Sequence, residues 1–76
     1  MAETISNAET ISNTVRLLRT ENNLTQEELA EKAGVSRQTV IAIERGSYVP
    51  SVLLALKISK IFKTSVEHIF RIVYEK

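Results

Sequence analysis

Cysteine and tryptophan are absent from this chain, and proline and histidine occur once each, as Pro50 and His68. The lack of cysteine excludes disulfide staples and thiolate metal sites and fits a reducing compartment. With a single histidine, a zinc site or a catalytic dyad would depend on carboxylates, and these fall at the spacing of solvated helix faces. His68 stands three residues after Ser65, a surface or capping position. The two glycines, Gly34 and Gly46, make no phosphate-cradling loop. The sequence therefore predicts no enzyme, no cofactor, no metal and no small-molecule substrate. No apolar run approaches membrane-spanning length, and the first residues lack the basic start and apolar stretch of a signal peptide. A soluble, cytoplasmic protein without a membrane role is expected. At 76 residues it is one domain, near the lower size at which an apolar core suffices without staples.

What the chain does have is concentrated in TQEELAEKAGVSRQTVIAIERG, Thr25 to Gly46: two short helices, each with its own cap, joined by a tight turn around a glycine. Thr25 can accept the backbone N–H of Glu28 while the Glu28 carboxylate reaches back, a capping box that fixes the first helix start. Gly34 ends that helix, because the residue past a helix terminus commonly needs φ > 0, which glycine adopts without a Cβ penalty. Val35 plugs the space between the helices, and Ser36 is the N-cap of the second. This is the layout of a DNA-reading helix-turn-helix.

On a wheel of about 100° per residue, Val40 and Ile43 take one side of the second helix, and Gln38, Ile41, Ala42 and Arg45 the other. Arg37 and Gln38 occupy its first turn, where free N–H groups and the positive dipole end suit phosphates and base edges. A glutamine there can read adenine bidentately and an arginine guanine, while small Ala42 lets the helix lie close to a thymine methyl. Thr39 lies on the flank, where a hydroxyl–phosphate contact and a merely tolerated threonine are both open. Arg45 can touch the DNA backbone or simply complement the helix dipole.

T-Q-E-E-L-A, the A-G-V-S turn, R-Q-T-V, I-E-R-G, the loop Pro50-Ser51 and the closing S-V-E-H-I-F together resemble the phage repressor and Cro family of helix-turn-helix regulators, also called the Xre family. The resemblance covers about residues 14–71. It implies that Gln26 contacts a phosphate and that Arg37, Gln38 and Ala42 face bases. With Ser36, Thr39 and Arg45 these make up the expected DNA-binding set. It also implies an ion pair between Arg19 and Glu44. The wheel agrees, since Glu44 falls between core Val40 and outward Arg37 and wants a partner.

The remaining sequence fills out an all-α, five-helix, repressor-like domain with the helix-turn-helix at helices two and three. Helix one runs from about Thr14 to Asn22 with Asn23 as a left-handed cap. Ser51 caps a fourth helix to about Phe62, and Ser65 caps a fifth that begins at Val66. Residues 72–76 are a tail in which Ile72 and Tyr74 alternate with Val73 and Glu75, so it extends the helix or forms a short strand. At the other end, AETISN at residues 2–7 recurs unchanged at residues 8–13. Residues 1–13 read as a duplicated, flexible leader that frays onto helix one; with Glu3 and Glu9 and no basic residue it is a poor minor-groove arm. Net charge is only +1, but outside that leader ten basic residues face seven acidic ones. Glu27, Glu28 and Glu31 share the outer face of helix two, and Lys57 and Lys60 read as a solvated face or part of a phosphate-facing patch.

Apolar residues remain that one small core does not need. Ile69, Phe70 and Val73 are assigned inward, which leaves Ile72 and Tyr74, while Leu53 shares an outer face with Lys57 and Lys60. Leu53, Ile69, Ile72 and Tyr74 are the candidate dimer interface, since related regulators read two half-sites about 34 Å apart. The sequence thus predicts a transcriptional regulator of double-stranded DNA, a repressor occupying a palindromic operator as a homodimer. The alternative is an antitoxin-type module whose apolar surface covers a protein partner while it represses its own operon.

Overall fold

The computed structural model describes residues 9–74. The elements run β1 (Glu9–Asn13), α1 (Val15–Glu21), α2 (Gln26–Ala33), α3 (Arg37–Arg45), α4 (Val52–Phe62), α5 (Val66–Ile69) and β2 (Phe70–Tyr74). Four of the five helices start where a hydroxyl side chain takes up a free N–H. Thr25 accepts from Glu28 N at 3.0 Å and Glu28 Oε1 accepts from Thr25 N at 2.8 Å, completing the capping box. Ser36, Ser51 and Ser65 accept from Thr39, Leu54 and His68 respectively. Gly34 closes α2 at φ 72° and Gly46 closes α3 at φ 82°, the left-handed geometry that stops each helix within one residue. Asn23 is left-handed as expected; Lys63, which closes α4 at φ 56°, is a left-handed cap that no sequence signal marked.

The core is one cluster. Leu29, Ala30 and Ala33 of α2, Val40 and Ile43 of α3, and Leu54, Ile58 and Phe62 of α4 close around Val15 and Ile69, with Leu18, Leu24, Val35, Ile61 and Phe70 packed on it. Helices α1 to α4 supply apolar residues at spacings of three or four, so one face of each is consumed, and the single turn of α5 supplies Ile69.

The fold is not all-α. Phe70 adopts φ −118°, ψ 130°, which limits α5 to a single turn, and Phe70–Tyr74 continues as a strand. It pairs antiparallel with Glu9–Asn13 in the register Glu9↔Tyr74, Thr10↔Val73, Ile11↔Ile72, Ser12↔Arg71 and Asn13↔Phe70. Ile72, Val73 and Tyr74 in one segment and Thr10 and Ile11 in the other are residues that suit a pleated strand, though neither segment shows a clean alternation of apolar and polar residues. The expected boundaries move accordingly. Residues 9–13, read as flexible leader, are a strand of the domain, and Ile72–Tyr74 are not a separate tail. The first repeat copy, residues 2–7, lies outside the described residues, as do Glu75 and Lys76. Two further assignments change. Ile69 has 0% exposure and is core, so it cannot serve an interface, and Val73, assigned inward, is exposed.

Asn13 carries structural weight that its place in a repeat concealed. Its Oδ1 accepts the Val15 N–H at 3.1 Å, capping α1 in place of Thr14, whose side chain makes no cap bond. Its Nδ2 donates to the Ile43 carbonyl at 2.8 Å, near the end of α3. One amide thereby ties β1, α1 and α3 together. Asn13→Ala should cost about 1 to 3 kcal/mol for the two lost bonds, and Asn13→Asp, which keeps only the acceptor, should fall between the two in urea denaturation. Equal stability of Asn13→Ala and wild type would remove that tie.

Candidate nucleic-acid interface

The recognition surface is built on α3. Val40 and Ile43 hold its inner side in the core, and Arg37, Gln38 and Arg45 are exposed on the rest. Ala42 and Ile41 are half-buried, so the outward reading of Ile41 is only partly met. The Ser36 hydroxyl caps the helix and lies 3.1 Å from the Thr39 hydroxyl, which leaves Thr39 half-covered and already bonded. The first turn of α3 thus presents one guanidinium and one amide beside unpaired backbone N–H groups, an arrangement suited to an anionic ligand with hydrogen-bonding edges.

Two hollows flank this helix. On one side Arg19, Thr25, Gln26 and Arg37 line a common depression, which brings the α2 start and the α3 start onto one surface. On the other, Val35, Thr39, Tyr48, Ser51, Leu53 and Lys57 surround a cavity of about 220 Å³. Lys57 reaches the turn itself: a Cβ on Gly34 would sit 3.6 Å from its Nζ. This lysine, read from sequence as part of either a solvated face or a phosphate-facing patch, places its ammonium over the helix-turn-helix turn. Arg37 on one flank and Lys57 on the other give α3 a cation at each shoulder.

Beneath the first hollow lies an ion pair. Arg19 Nε donates to Glu44 Oε2 at 2.6 Å and Nη2 to Oε1 at 3.3 Å, while Nη1 holds the Leu24 carbonyl at 2.8 Å. The side chains are 12% and 3% exposed. Gln26 Nε2 also donates to Glu44 Oε1, at 3.1 Å, which fixes the orientation of that amide and leaves its second N–H for an outside acceptor. Sequence reasoning treated Gln26 and the Arg19–Glu44 pair as separate features; the structure joins them through one carboxylate.

Of the expected interface residues only Ile72 and Tyr74 are brought together, on β2. Ile72 and Tyr74 are 60% and 64% exposed on the ribbon formed by β1 and β2. Leu53, 66% exposed, instead borders the hollow beside Tyr48 and Lys57. The ribbon's own neighbour is an apolar groove where Ile11 and Phe70 meet Val49, Pro50, Val52 and Val66. Among the described residues no helix is long and apolar enough to cross a membrane.

A helix-turn-helix family model, of the Cro/C1 type, matches residues 15–69. The chain is 54% identical over 65 residues to a helix-turn-helix-type transcriptional regulator of Methanocaldococcus jannaschii, covering 86% of this chain and 96% of that one. It is 53% identical over 60 residues to YgzD, a regulator of the same type from Bacillus subtilis, covering 79% and 91%. Among solved structures, SinR, the master regulator for biofilm formation, in complex with DNA, is 35% identical over 70% of this chain and 86% of its own, with a TM-score of 0.64. The restriction-modification controller protein C.AhdI of Aeromonas hydrophila is 33% identical over 71% and 82%, with a TM-score of 0.66. The transcriptional regulator VanUg, at 20% identity and a TM-score of 0.75 with 99% of this chain covered, has the same fold.

Proposed function

This chain belongs to the helix-turn-helix family of Cro/C1-type, DNA-binding transcriptional regulators, and we propose that within it the protein is a cytoplasmic repressor that occupies a palindromic operator as a homodimer. The observation that carries the proposal is the first turn of α3, where exposed Arg37 and Gln38 stand over a capped helix end beside Gln26. In this reading Arg37, Gln38 and Ala42 face base edges, Gln26, Thr39, Arg45 and Lys57 take the phosphates, and Ser36 keeps the helix start in place. SinR, with which this chain shares more than a third of its aligned residues, was solved bound to DNA, which supports DNA as the ligand of this chain. Selection from a random pool of double-stranded DNA tests it. An enriched sequence with two inverted half-sites is the expected result, and enrichment of nothing would overturn it.

A second copy gives each complex two readings of the half-site and so raises specificity over competing DNA. The exposed Ile72 and Tyr74 favour the ribbon as the element that joins the copies. Changing both to Ser should leave the helical fold intact by circular dichroism, because neither reaches the core. The same double variant should shift the mass measured by light scattering toward monomer and weaken operator binding by about tenfold. A double variant that stays fully dimeric would remove the ribbon from that role. A wild type that is monomeric at tens of micromolar would favour the partner-covering use of the surface instead.

A further inference from the structure

Two arginines of α1 meet the same carboxylate in different ways. Arg19, with a side chain 12% exposed, binds both oxygens of Glu44. Arg16, one turn earlier, has a side chain 76% exposed, and its Nε stops 3.9 Å from Glu44 Oε1. At that separation the charges attract, but no hydrogen bond forms. Glu44 does not require this second cation. Arg19 already neutralises its carboxylate, which accepts two bonds from Arg19 and one from Gln26. Arg16 is therefore a surplus positive charge, held by weak attraction at the edge of an ion pair that is complete without it.

The oxygen that Arg16 approaches is also the one that holds Gln26. Gln26 Nε2 donates to Oε1 at 3.1 Å, which leaves its second N–H for an outside acceptor. The guanidinium and the amide thus converge on one atom, from α1 and α2, close enough for a single phosphate group to take a donor from each. Gln26 alone is a poor anion holder. Its amide is neutral, Glu27 lines the same hollow, and the Glu28 carboxylate is turned back onto the Thr25 N–H next to it. A phosphate that approaches the start of α2 meets both of those negative charges. Arg37, on α3, offsets them from one side of the hollow, and Arg16 is placed to offset them from α1.

We propose that Arg16 is a phosphate-binding residue outside the helix-turn-helix: with Gln26 it grips one phosphate of the DNA backbone, and Glu44 positions both prongs. In the free protein the attraction to Glu44 keeps a long side chain near its working place, which lessens the rotamer freedom lost on binding. In the complex the phosphate replaces Glu44 as the counter-charge of Arg16, and Arg19 alone continues to neutralise the buried carboxylate. Only one exposed side chain has to move. The contact carries no sequence information, so it adds affinity and register to the base readings of α3 without altering them.

This role rests on the DNA-binding reading above, and its test separates the two. Fluorescence anisotropy measures affinity across a salt series, on the selected operator and on a duplex of unrelated sequence. Arg16→Met should bind both duplexes about tenfold more weakly at low salt and flatten the slope of log affinity against log salt by about 0.9, the release of one phosphate contact. Arg16→Lys, which keeps the charge, should keep the slope. Urea denaturation midpoints of Arg16→Met and wild type should nearly coincide, because an exposed charge pair adds little to folding. The losses of Arg16→Met and Gln26→Ala should not multiply in the double variant, since both act on one phosphate. Losses that do multiply would rule out the shared grip. Arg16→Met with the affinity and slope of wild type would overturn the proposal and leave the reading surface of α3 standing. A weaker variant whose slope is unchanged and whose stability has fallen would overturn it as well, by making Arg16 a structural residue. A wild type that binds neither duplex would remove the DNA-binding reading itself.

Discussion

Replacing Arg19 with methionine should cost about 3 to 5 kcal/mol of folding stability, the scale measured when one member of a buried ion pair is removed. Domains of this size rest on about 5 to 15 kcal/mol, so the variant would be close to unfolding at room temperature. The reason is the burial of its partner. Glu44 is 3% exposed, and its carboxylate accepts from Arg19 twice and from Gln26 once. Without the guanidinium a carboxylate stays in the interior with one amide donor, and the Leu24 carbonyl loses its partner as well. Arg16 sets a limit on the loss. Its Nε lies 3.9 Å from Glu44 Oε1 on a side chain 76% exposed, near enough to swing inward and restore part of the charge balance. The Arg16→Ala/Arg19→Met double variant should therefore be less stable than Arg19→Met by more than Arg16→Ala alone costs. Glu44→Gln should cost less than Arg19→Met, because a neutral amide needs no counter-charge. Urea denaturation of Arg19→Met, Glu44→Gln and their combination measures the coupling directly. Additive losses would mean that the two side chains do not act as a pair.

The helix-turn-helix was legible in the sequence because its signals are local. Thr25 and Glu28, Gly34 and Ser36 each act on backbone groups within three residues, and their chemistry permits few alternatives. The ribbon was legible only in part, as the short-strand alternative for residues 72–76, and for the opposite reason. β1 and β2 lie at opposite ends of the chain, and neither ETISN nor FRIVY fixes its own conformation. FRIVY continues directly from the α5 turn, and only a partner some sixty residues away decides that it leaves the helix. Repetition misled further, since a duplicated hexapeptide suggests a leader without a role, whereas Asn13 within it holds both the start of α1 and the end of α3. At the candidate site the residue types were readable and their coupling was not. The spacing of Gln26 and Glu44, eighteen positions apart, carries no sign that they share a hydrogen bond. Lys57 likewise lies twenty-three positions beyond Gly34, and only the packing of α4 against α2 brings its ammonium over the turn.

That coupling sharpens the contrast between the two glutamines on the recognition surface. Gln38→Ala should weaken operator binding by about 1 to 3 kcal/mol at one base position and relax the preference there, because an exposed amide on the first turn of α3 is placed to read a base edge. Gln26→Ala should act in two ways at once. Loss of a phosphate donor weakens binding about equally on every sequence, with base preference retained. Loss of its bond to Glu44 also removes one of the carboxylate's donors and should lower folding stability by about 0.5 to 1.5 kcal/mol, an effect that Gln38→Ala, with no such bond, should not have. Gel-shift titration of both variants against every single-base change in the selected operator, paired with urea denaturation of the free proteins, separates these effects. Gln26→Glu sharpens the result further, since it would place a second carboxylate against Glu44 and a negative charge where a phosphate must approach. It should lose more affinity and more stability than Gln26→Ala. If Gln38→Ala instead weakens all sequences equally, its amide is not reading a base. If Gln26→Ala shifts preference at one position while stability is unchanged, the base-facing surface extends onto α2 and the bond to Glu44 has no part in holding it.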